Sequence, residues 1–408
     1  MLLAFFNGNF FGPVDRKAFM CVFIRSFALG FAVYWGAIGT SQAGGIFALA
    51  NPADNGQTLQ GYVAARAFGA SDHARLLELS AVDPVRYAPR AGNNVSLASA
   101  SVETGVQWQG YRLAAVSRSD AYLSASRDTV DLINQYANAL GYDNPRKYAV
   151  AYQIRAFEAD GLKFSRSLQF DAIGGGNLKA GLGVSYLRGR SLKLENIKGQ
   201  AVTLNTKDFD AALTQSISST WLDTQNLSQF NAPFGRQERF SGDGYAVDAG
   251  VTWLHLATGM RMELAIADLF GEMRWNNIPT NVATLSTATK SYDANGFVQY
   301  DPTTTRTSSY KSVSMTLEPK VYVGAGIPWK QMMLKAGTSY TQGEWLPQLG
   351  IERRLPSGWT LGADIETRFS TLGVSLSCSW LQLKLRTDDL NLSQAKALGI
   401  SLQSHMPF

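Results

Sequence analysis

Apolar and polar residues alternate over long stretches of this chain. Between residues 312 and 327 the odd positions are apolar, and the even positions are almost all polar or small. An alternation of period two indicates a β-strand with one apolar face. Such a strand usually spans about five or six residues in a soluble sheet, whereas this stretch is long enough to cross a bilayer at a tilt. Its length therefore favours a membrane-spanning strand.

The same alternation recurs along the chain, with short turns between neighbouring strands. Gly259 lies in a corner between two apolar faces, and Pro356 and Gly358 occupy a second turn. Strand candidates are 59–67, 102–109, 111–123, 147–158, 162–173, 178–189, 190–204, 208–220, 244–257, 260–275, 308–327, 330–341, 345–354, 358–369, 373–387 and 396–408. Lipid tolerates no open sheet edge, and bacterial barrels have an even strand number. The predicted fold is all-β, a closed antiparallel transmembrane β-barrel of about 12–16 strands, with about 14 as the best value.

Four segments interrupt the strands. Residues 128–141 have apolar side chains at helical spacing and predict a short amphipathic helix, on the periplasmic side or inside the barrel. Residues 44–100 lack long alternation and are interpreted as an irregular N-terminal segment that lines or plugs the lumen. The polar stretches 221–243 and 276–307 suit extracellular loops. The barrel itself is assigned to 101–408.

The first 43 residues have the composition of a secretory signal peptide. Arg25 precedes an apolar run at 26–39, and small residues at 41 and 43 form a cleavage site. A genuine membrane anchor is the alternative, and Met20 is a second candidate start. Removal of 1–43 leaves Cys378 as the single cysteine, which fits export into the Gram-negative envelope better than eukaryotic secretion.

Composition excludes several classes. Charged residues are only 17% of the chain, yet the mean hydropathy is −0.09. The low charge is balanced by Ser, Thr, Asn, Gln and Gly and not by additional apolar residues. A polytopic helical transporter would need several apolar runs of about 20 residues. No basic block indicates nucleic acid as a partner.

The C-terminus carries a further signal. The following residues alternate with polar ones up to the last position: Leu398, Ile400, Leu402, Met406 and Phe408. This ending resembles the C-terminal insertion signal of Gram-negative outer-membrane β-barrel proteins, the porin-like superfamily in the broad sense. Ser404 and Pro407 depart from its usual pattern. The resemblance implies delivery across the periplasm by chaperones and insertion by the barrel-assembly machinery.

Catalytic chemistry has little support in the sequence. The chain contains three histidines, His73, His255 and His405. No nucleophile elbow, zinc-protease motif, phosphate-binding loop or paired-cysteine motif is present. We therefore expect no enzyme activity, no cofactor and no metal.

Charged residues on the polar parity of the strands are candidates for lining a pore. They are Arg155, Lys163, Lys179, Asp248, Arg261, Glu263, Glu318, Lys320, Lys335, Asp364, Glu366 and Arg368. Both signs occur with a modest excess of bases, and such walls set the field on a permeating solute. The alternative is a narrow barrel that fills itself with ion pairs and conducts nothing. Arg166 falls on the apolar parity, so it either snorkels to an interface or indicates a shifted register.

Three functions remain open on these observations. The first is a passive, porin-like outer-membrane channel for small polar solutes, with anionic solutes as candidates. The second is a structural or interaction component of the outer membrane, for secretion, conjugation or surface attachment. The third is a lipid-modifying enzyme centred on His73 or His255. The expected partners are outer-membrane lipids, the barrel-assembly machinery and small polar solutes.

Overall fold

The computed structural model describes residues 49–76, 78, 87–138, 140, 145–204, 209–220, 242–287, 290–292, 298–300 and 303–407. Within them the chain is all-β, with one α-helix and a 3-10 turn at Pro52–Asp54. The elements are β1 Gln60–Ser71, β2 Asn93–Trp108, β3 Tyr111–Ser126, α1 Arg127–Ala137, β4 Lys147–Ile173, β5 Gly176–Thr203, β6 Phe209–Ser219, β7 Gly242–His255, β8 Arg261–Ser286, β9 Lys290–Tyr292, β10 Val298–Tyr300, β11 Thr303–Thr316, β12 Lys320–Trp329, β13 Met332–Thr341, β14 Glu344–Arg354, β15 Thr360–Glu366, β16 Thr371–Ser377, β17 Leu381–Thr387 and β18 Ala397–Pro407.

The strands form a closed antiparallel barrel with 14 positions, which confirms the predicted fold class and strand number. Two positions are each shared by two strands. β6 and β7 pair with successive parts of β5, and β11 and β12 pair with successive parts of β8. β9 and β10 form a separate hairpin. The ring closes where β1 pairs with β18.

Tight turns join the strands at one end of the barrel. At the other end the connections are longer, except for the two-residue turn between β13 and β14. The turn between β4 and β5 contains Gly174 and Gly175, both with positive φ (58° and 74°), a conformation that glycine adopts without a steric cost. β1 begins and β18 ends at the short-turn end, as in a barrel with an even number of strands.

The helix α1 lies at the long-connection end, between β3 and β4. Ser126 caps it by accepting a hydrogen bond from the Thr129 backbone N–H at 3.1 Å. Asp128 and Thr129 then bond the backbone of β4 at Ala149 and Ala151, so the start of the helix covers the edge of β4 that extends past β3. The predicted periplasmic position conflicts with this arrangement, because the helix shares its end with the long connections that we assigned to the extracellular side.

The two sides of the barrel differ in height. β4, β5 and β8 have 27, 28 and 26 residues, whereas β15, β16 and β17 have 7 each. We call β3 to β8 together with β11 the high wall, and β12 to β17 the low wall. β18, β1 and β2 connect the two walls.

The outer surface carries large apolar side chains on both walls. Leu182 and Phe270 on the high wall are 64% and 66% exposed, and Leu372 on the low wall is 53% exposed. Contiguous exposed apolar surface of this kind marks a membrane or a protein interface. Arg166 faces the same side, with its guanidinium 4.9 Å from the centre of the Tyr111 ring, so the predicted register of this strand is right. No helix in the described ranges is long and apolar enough to span a bilayer.

The barrel begins earlier than the sequence indicated. β1 starts at Gln60 and β2 at Asn93, so much of 44–100 belongs to the barrel and not to an irregular segment. The alternation there is weak because the outward side chains of β1 are small, such as Ala65 and Ala67. Residues 1–43, the expected signal peptide, lie outside the described residues.

Two further boundaries need correction. The expected loop at 276–307 contains the end of β8, up to Ser286, and the start of β11, from Thr303. These parts of the strands extend past the apolar belt, the zone of exposed apolar side chains on the outer surface. Past this belt, polar residues suit both faces of a strand. Residues 221–241 of the other expected loop lie outside the described ranges. β4 and β5 are single strands where two were expected for each, because a bulge at Glu158/Ala159 inverts the parity of β4 part-way along.

Candidate functional site in the barrel lumen

A short segment before β1 lies inside the barrel, against β4, β5 and β7. Asn51 caps its 3-10 turn by accepting a hydrogen bond from the Ala53 N–H at 3.0 Å. The Asn51 amide donates to Thr252 at 3.2 Å and to Glu263 at 3.4 Å. Its side chain is therefore a link between the segment and two strands of the high wall.

A second link anchors the same segment. The Asp54 carboxylate pairs with Arg261 at 3.1 Å. Asn55 donates to the Gly110 carbonyl at 3.0 Å and to Ser165 at 3.1 Å. The segment from 51 to 55 thus occupies the lumen beside the high wall.

Glycines create the space for this segment. A Cβ built on Gly181 would overlap the Pro52 carbonyl group, and one built on Gly250 would overlap the Asn51 side chain. The close approach of two backbones requires glycine at both positions.

Buried ion pairs lie beside the segment, on the high wall and on the adjoining strands β1 and β2. Lys163 lies 2.6 Å from Asp248 and 3.6 Å from Glu103, and Arg66 lies 3.7 Å from Glu103. These side chains are almost completely buried. Lys163 and Asp248, both predicted to face the lumen, are therefore paired with each other.

Other ion pairs cross the lumen between strands that are far apart in the ring. Arg118 on β3 binds Asp268 on β8 at 2.6 Å, and Asp120 at 2.6 Å. Lys320 on β12 pairs with Asp120 and donates to Ser99 on β2 at 2.8 Å. The Lys320–Asp120 pair joins the two walls across the interior, and the Arg118–Asp268 pair joins two strands of the high wall.

One more pair crosses the lumen nearer the long-connection end. Arg155 on β4 lies 2.5 Å from Glu318, which precedes β12. The crossing pairs separate the part of the lumen under the high wall from the part under the low wall.

Apolar side chains fill the high-wall side of the lumen. Trp275 is completely buried, and it lies over Gly189 and Gly242, where any added Cβ would contact its indole. The packed group comprises Val116, Phe157, Ala159, Leu187, Leu192, Ala246, Met273, Trp275, Ile278 and Leu317. These residues form a packed apolar cluster on the high-wall side of the lumen.

The low wall has the opposite character. Its inner positions include Gly326, Gly350 and Gly373, which alternate around the ring with Lys335 and Asp364. Small residues at every second position leave space that the long charged side chains only partly fill.

Two cavities lie along this glycine-rich face. The larger, about 310 Å³, is bordered by the turn between β12 and β13 at the short-turn end. The smaller, about 50 Å³, lies between β12 and β17. Tyr322, Lys335 and Glu352 border both cavities, and the Lys335 ammonium lies 2.5 Å from the Glu352 carboxylate. This ion pair therefore lies where the two cavities meet.

Two cations, Lys335 and Lys384, and two carboxylates, Glu352 and Asp364, border the smaller cavity. Lys384 lies 3.0 Å from Asp364, and Arg386 pairs with the same carboxylate. At the larger cavity Arg354 has no ion pair or hydrogen bond within the described residues, and the same holds for Lys179 on β5. The low-wall side therefore has a modest excess of positive charge.

The predicted pore residues have different positions in the lumen. Lys163, Asp248, Glu318, Lys320 and Arg155 belong to the pairs that close the high-wall side. Arg261 and Glu263 hold the lumenal segment, and Lys335 and Asp364 border the cavities. Lys179 lies apart from these pairs.

The remaining two predicted residues stabilise a turn. The Glu366 carboxylate accepts hydrogen bonds from the Phe369 N–H at 3.2 Å and from the Thr371 hydroxyl at 3.3 Å. Arg368 donates to Asp72 at 2.7 Å and to Glu344 at 2.7 Å. They fix the connection between β15 and β16 rather than border either cavity.

Several lumenal residues were not predicted from the sequence. Arg66 and Glu103 lie on strands that show little alternation. Arg118 and Asp120 lie on a predicted strand and have the same parity as Arg112. The alternation of that strand could therefore have predicted that these side chains face the lumen. Asp268 has a positive φ of 57° at a bulge, which the sequence does not indicate.

The histidines lack acidic partners. His73 is buried against Tyr87, and burial lowers its pKa to about 4. His255 bonds Thr258 through its ring at 2.8 Å, and His405 bonds Gln107 at 3.0 Å. No imidazole in the described part of the chain is hydrogen-bonded to Ser, Asp or Glu. Nor do the described residues contain a group of three His, Cys, Asp or Glu side chains suited to a metal ion.

The predicted insertion strand forms β18. Leu398, Ile400 and Leu402 pair with the small residues Gly69, Ala67 and Ala65 of β1. Met406 follows on the same strand face, and Phe408 lies outside the described residues. The seam that closes the barrel thus has bulky apolar residues on one strand opposite small residues on the other.

A closed barrel with an apolar outside and a charged inside defines the class of outer-membrane β-barrels. No family model matches the chain, and no curated protein matches it. Among solved structures it is similar to a deletion mutant of the monoaromatic hydrocarbon channel TodX, at 9% identity and a TM-score of 0.42, over 87% of this chain and 91% of that one.

Two other similar solved structures have different activities. The toluene transporter TbuX of Ralstonia pickettii has 8% identity and a TM-score of 0.23, over 88% of this chain and 92% of that one. The outer membrane protease OmpT of Escherichia coli has 7% identity and a TM-score of 0.19, over 88% and 95%. At these values the likenesses carry no argument about activity.

Proposed function

We propose that this chain is a passive channel of the Gram-negative outer membrane for small polar solutes, with a preference for anions. The supporting observation is the pair of cavities along the glycine-rich face of the low wall, bordered by charged and amide side chains. A lumen of this composition favours polar solutes, because an apolar solute would gain nothing from its charged walls.

The orientation follows the rule for bacterial barrels, in which short turns face the periplasm and longer connections face outward. The larger cavity then lies toward the periplasm. The outward apolar side chains of β18 suit insertion by the barrel-assembly machinery. Outer-membrane lipids would then surround the apolar belt. The proposal includes no catalytic step.

Solutes would pass beside the Lys335–Glu352 pair. The lumenal segment at 51–55 and the crossing ion pairs leave the low-wall side as the available route. An anion preference is expected because Lys384 and Arg386 share one carboxylate, and because Arg354 has no acidic partner. Fixed charge along a narrow path biases the ions that enter it.

Single-channel recording in planar bilayers under a salt gradient tests the proposal. We expect stable conductance steps and a reversal potential displaced toward the anion. Arg354→Glu should move that potential toward the cation. Arg353→Glu is the matched control, because Arg353 is the neighbouring residue on β14 and lies on the outward face with Leu361.

One result would contradict the channel, and another would contradict the proposed path. A correctly folded barrel that never conducts would favour the structural or interaction role. An equal shift of the reversal potential in both arginine variants would show that Arg354 does not border the conducting path.

A further inference from the structure

Arginines form a band on the outer face of the high wall, directly past its apolar belt. On β5 the outward residues change from Val184 and Tyr186 to Arg188. On β8 they change from Phe270 to Arg274, whose side chain is 73% exposed. Arg188 and Arg274 are both in register with Asp243 of β7, which lies between their strands.

The carboxylates in this band are already engaged. Asp160 lies 3.1 Å from Arg190, and Glu272 lies 3.0 Å from Arg274. Asp243 accepts a hydrogen bond from the Tyr186 hydroxyl at 2.7 Å. An arginine has five N–H donors, so Arg190 and Arg274 keep donors for a further ligand.

Arg188 has no such partner. It is exposed, and no hydrogen bond or ion pair joins it to the described residues. Its neighbours across the strands are Asp160 and Asp243, whose carboxylates bond Arg190 and Tyr186. The whole Arg188 guanidinium is therefore available to a ligand.

The low wall has no equivalent at its long-connection end. The outward side chains there are aromatic, with the Tyr340 and Trp345 rings 4.9 Å apart, and the outward Arg353 lies at the opposite end of β14. The arginines are therefore confined to one sector of the circumference. A general requirement for solubility would distribute them around the rim.

We propose that Arg188, Arg190 and Arg274 bind the phosphate groups of the phosphorylated glycolipid in the outer leaflet, lipopolysaccharide. Lipid phosphates lie at the boundary where the outer surface of the barrel changes from apolar to charged. Guanidinium groups bind phosphate through two parallel hydrogen bonds, which favours arginine over lysine at such a site. The acyl chains would then lie along Val184 and Phe270.

This inference rests on the membrane location and orientation proposed above, and it is independent of whether the lumen conducts. The test compares the wild type with the triple variant Arg188→Gln, Arg190→Gln, Arg274→Gln. Both are extracted from outer membranes in mild detergent with a chelator, which removes divalent cations that could bridge carboxylates to phosphates. Native mass spectrometry then counts lipopolysaccharide per barrel, and Arg353→Gln is the control.

We expect about a tenfold loss of bound lipopolysaccharide in the triple variant and none in the control. Retention of lipopolysaccharide by the triple variant would overturn the proposal. A barrel that conducts normally but never retains lipopolysaccharide would overturn it while leaving the channel in place.

A second measurement separates the two sources of phosphate. Purified barrels are placed in vesicles that contain either lipopolysaccharide or the anionic phospholipid phosphatidylglycerol, and the unfolding temperature is recorded. We expect lipopolysaccharide to raise it for the wild type and not for the triple variant. An equal rise with phosphatidylglycerol would overturn the assignment to the glycolipid. If the triple variant folds poorly, single variants at Arg188 provide the same comparison.

Discussion

The high wall and the low wall have the same alternating strand pattern, but the lumen is filled under the high wall and contains cavities under the low wall. Under the high wall, bulky residues such as Trp275 meet glycines on neighbouring strands, and buried ion pairs satisfy one another. Under the low wall, glycines alternate with charged side chains and cavities remain. Outside the bulges, alternation therefore decides which side chains face inward, whereas the sizes of facing residues decide whether the interior is filled.

The largest expected difference between the walls concerns Trp275. We expect Trp275→Ala to lower the free energy of unfolding by about 3–5 kcal/mol, because the completely buried indole would leave a cavity over Gly189 and Gly242. Trp345→Ala, on the outside of the low wall, should cost about 1 kcal/mol or less. Urea unfolding in detergent measures both. Equal losses would mean that the high wall is not the packed side.

The charged pairs give a second contrast. Arg118→Met should cost about 3 kcal/mol or more, since it leaves Asp268 charged and buried. Lys335→Met should cost under about 1 kcal/mol, because the Glu352 side chain is 28% exposed.

A double variant separates charge from packing in this contrast. Asp268→Asn removes the stranded charge and keeps a residue that tolerates the positive φ, so Arg118→Met with Asp268→Asn should recover much of the loss. Unfolding curves for the three high-wall variants test this. The charge explanation fails if the double variant is no more stable than Arg118→Met.

Two adjacent residues at the end of β1 extend the comparison to pH. His73 packs on the high-wall side with Tyr87, and burial lowers its pKa from 6.5 to about 4. The unfolded chain therefore binds a proton that the folded chain does not, and stability falls as the pH drops from about 6.5 toward 4. The expected loss is about 2–3 kcal/mol.

His73→Phe should remove this loss, and unfolding measured between pH 7 and pH 4 checks it. Asp72 provides the contrast, because its bonds to Arg368 of the low wall lower its pKa below 3.8. Its contribution is present above that value and is lost only in stronger acid. A loss between pH 6.5 and 4 that persists in His73→Phe would contradict this assignment.

The sequence predicted the barrel because alternation is a local property. Near Trp380 the alternation along the chain changes phase, and the structure has a turn there, closed by a hydrogen bond from the Cys378 N–H to the Leu381 carbonyl at 2.8 Å. The contacts that close the high wall were not predictable in this way. Arg118 meets Asp268 only because strands distant in sequence curve around one lumen, and a bulge turns Asp268 inward.

The smallest expected effects, about two- to threefold, concern conductance, and they have opposite signs on the two walls. At Gly181 a Cβ would overlap the Pro52 carbonyl group, so Gly181→Val should displace the lumenal segment and raise the conductance. At Gly326 a Cβ would lie 3.1 Å from the flexible Met333 sulfur, beside the larger cavity. Gly326→Leu should fit there, narrow the passage and lower the conductance, with little change in stability. Single-channel recording of both variants decides between the walls: a decrease in both would mean that the segment at 51–55 is a fixed part of the interior, and an unchanged Gly326→Leu would move the conducting path away from the low wall.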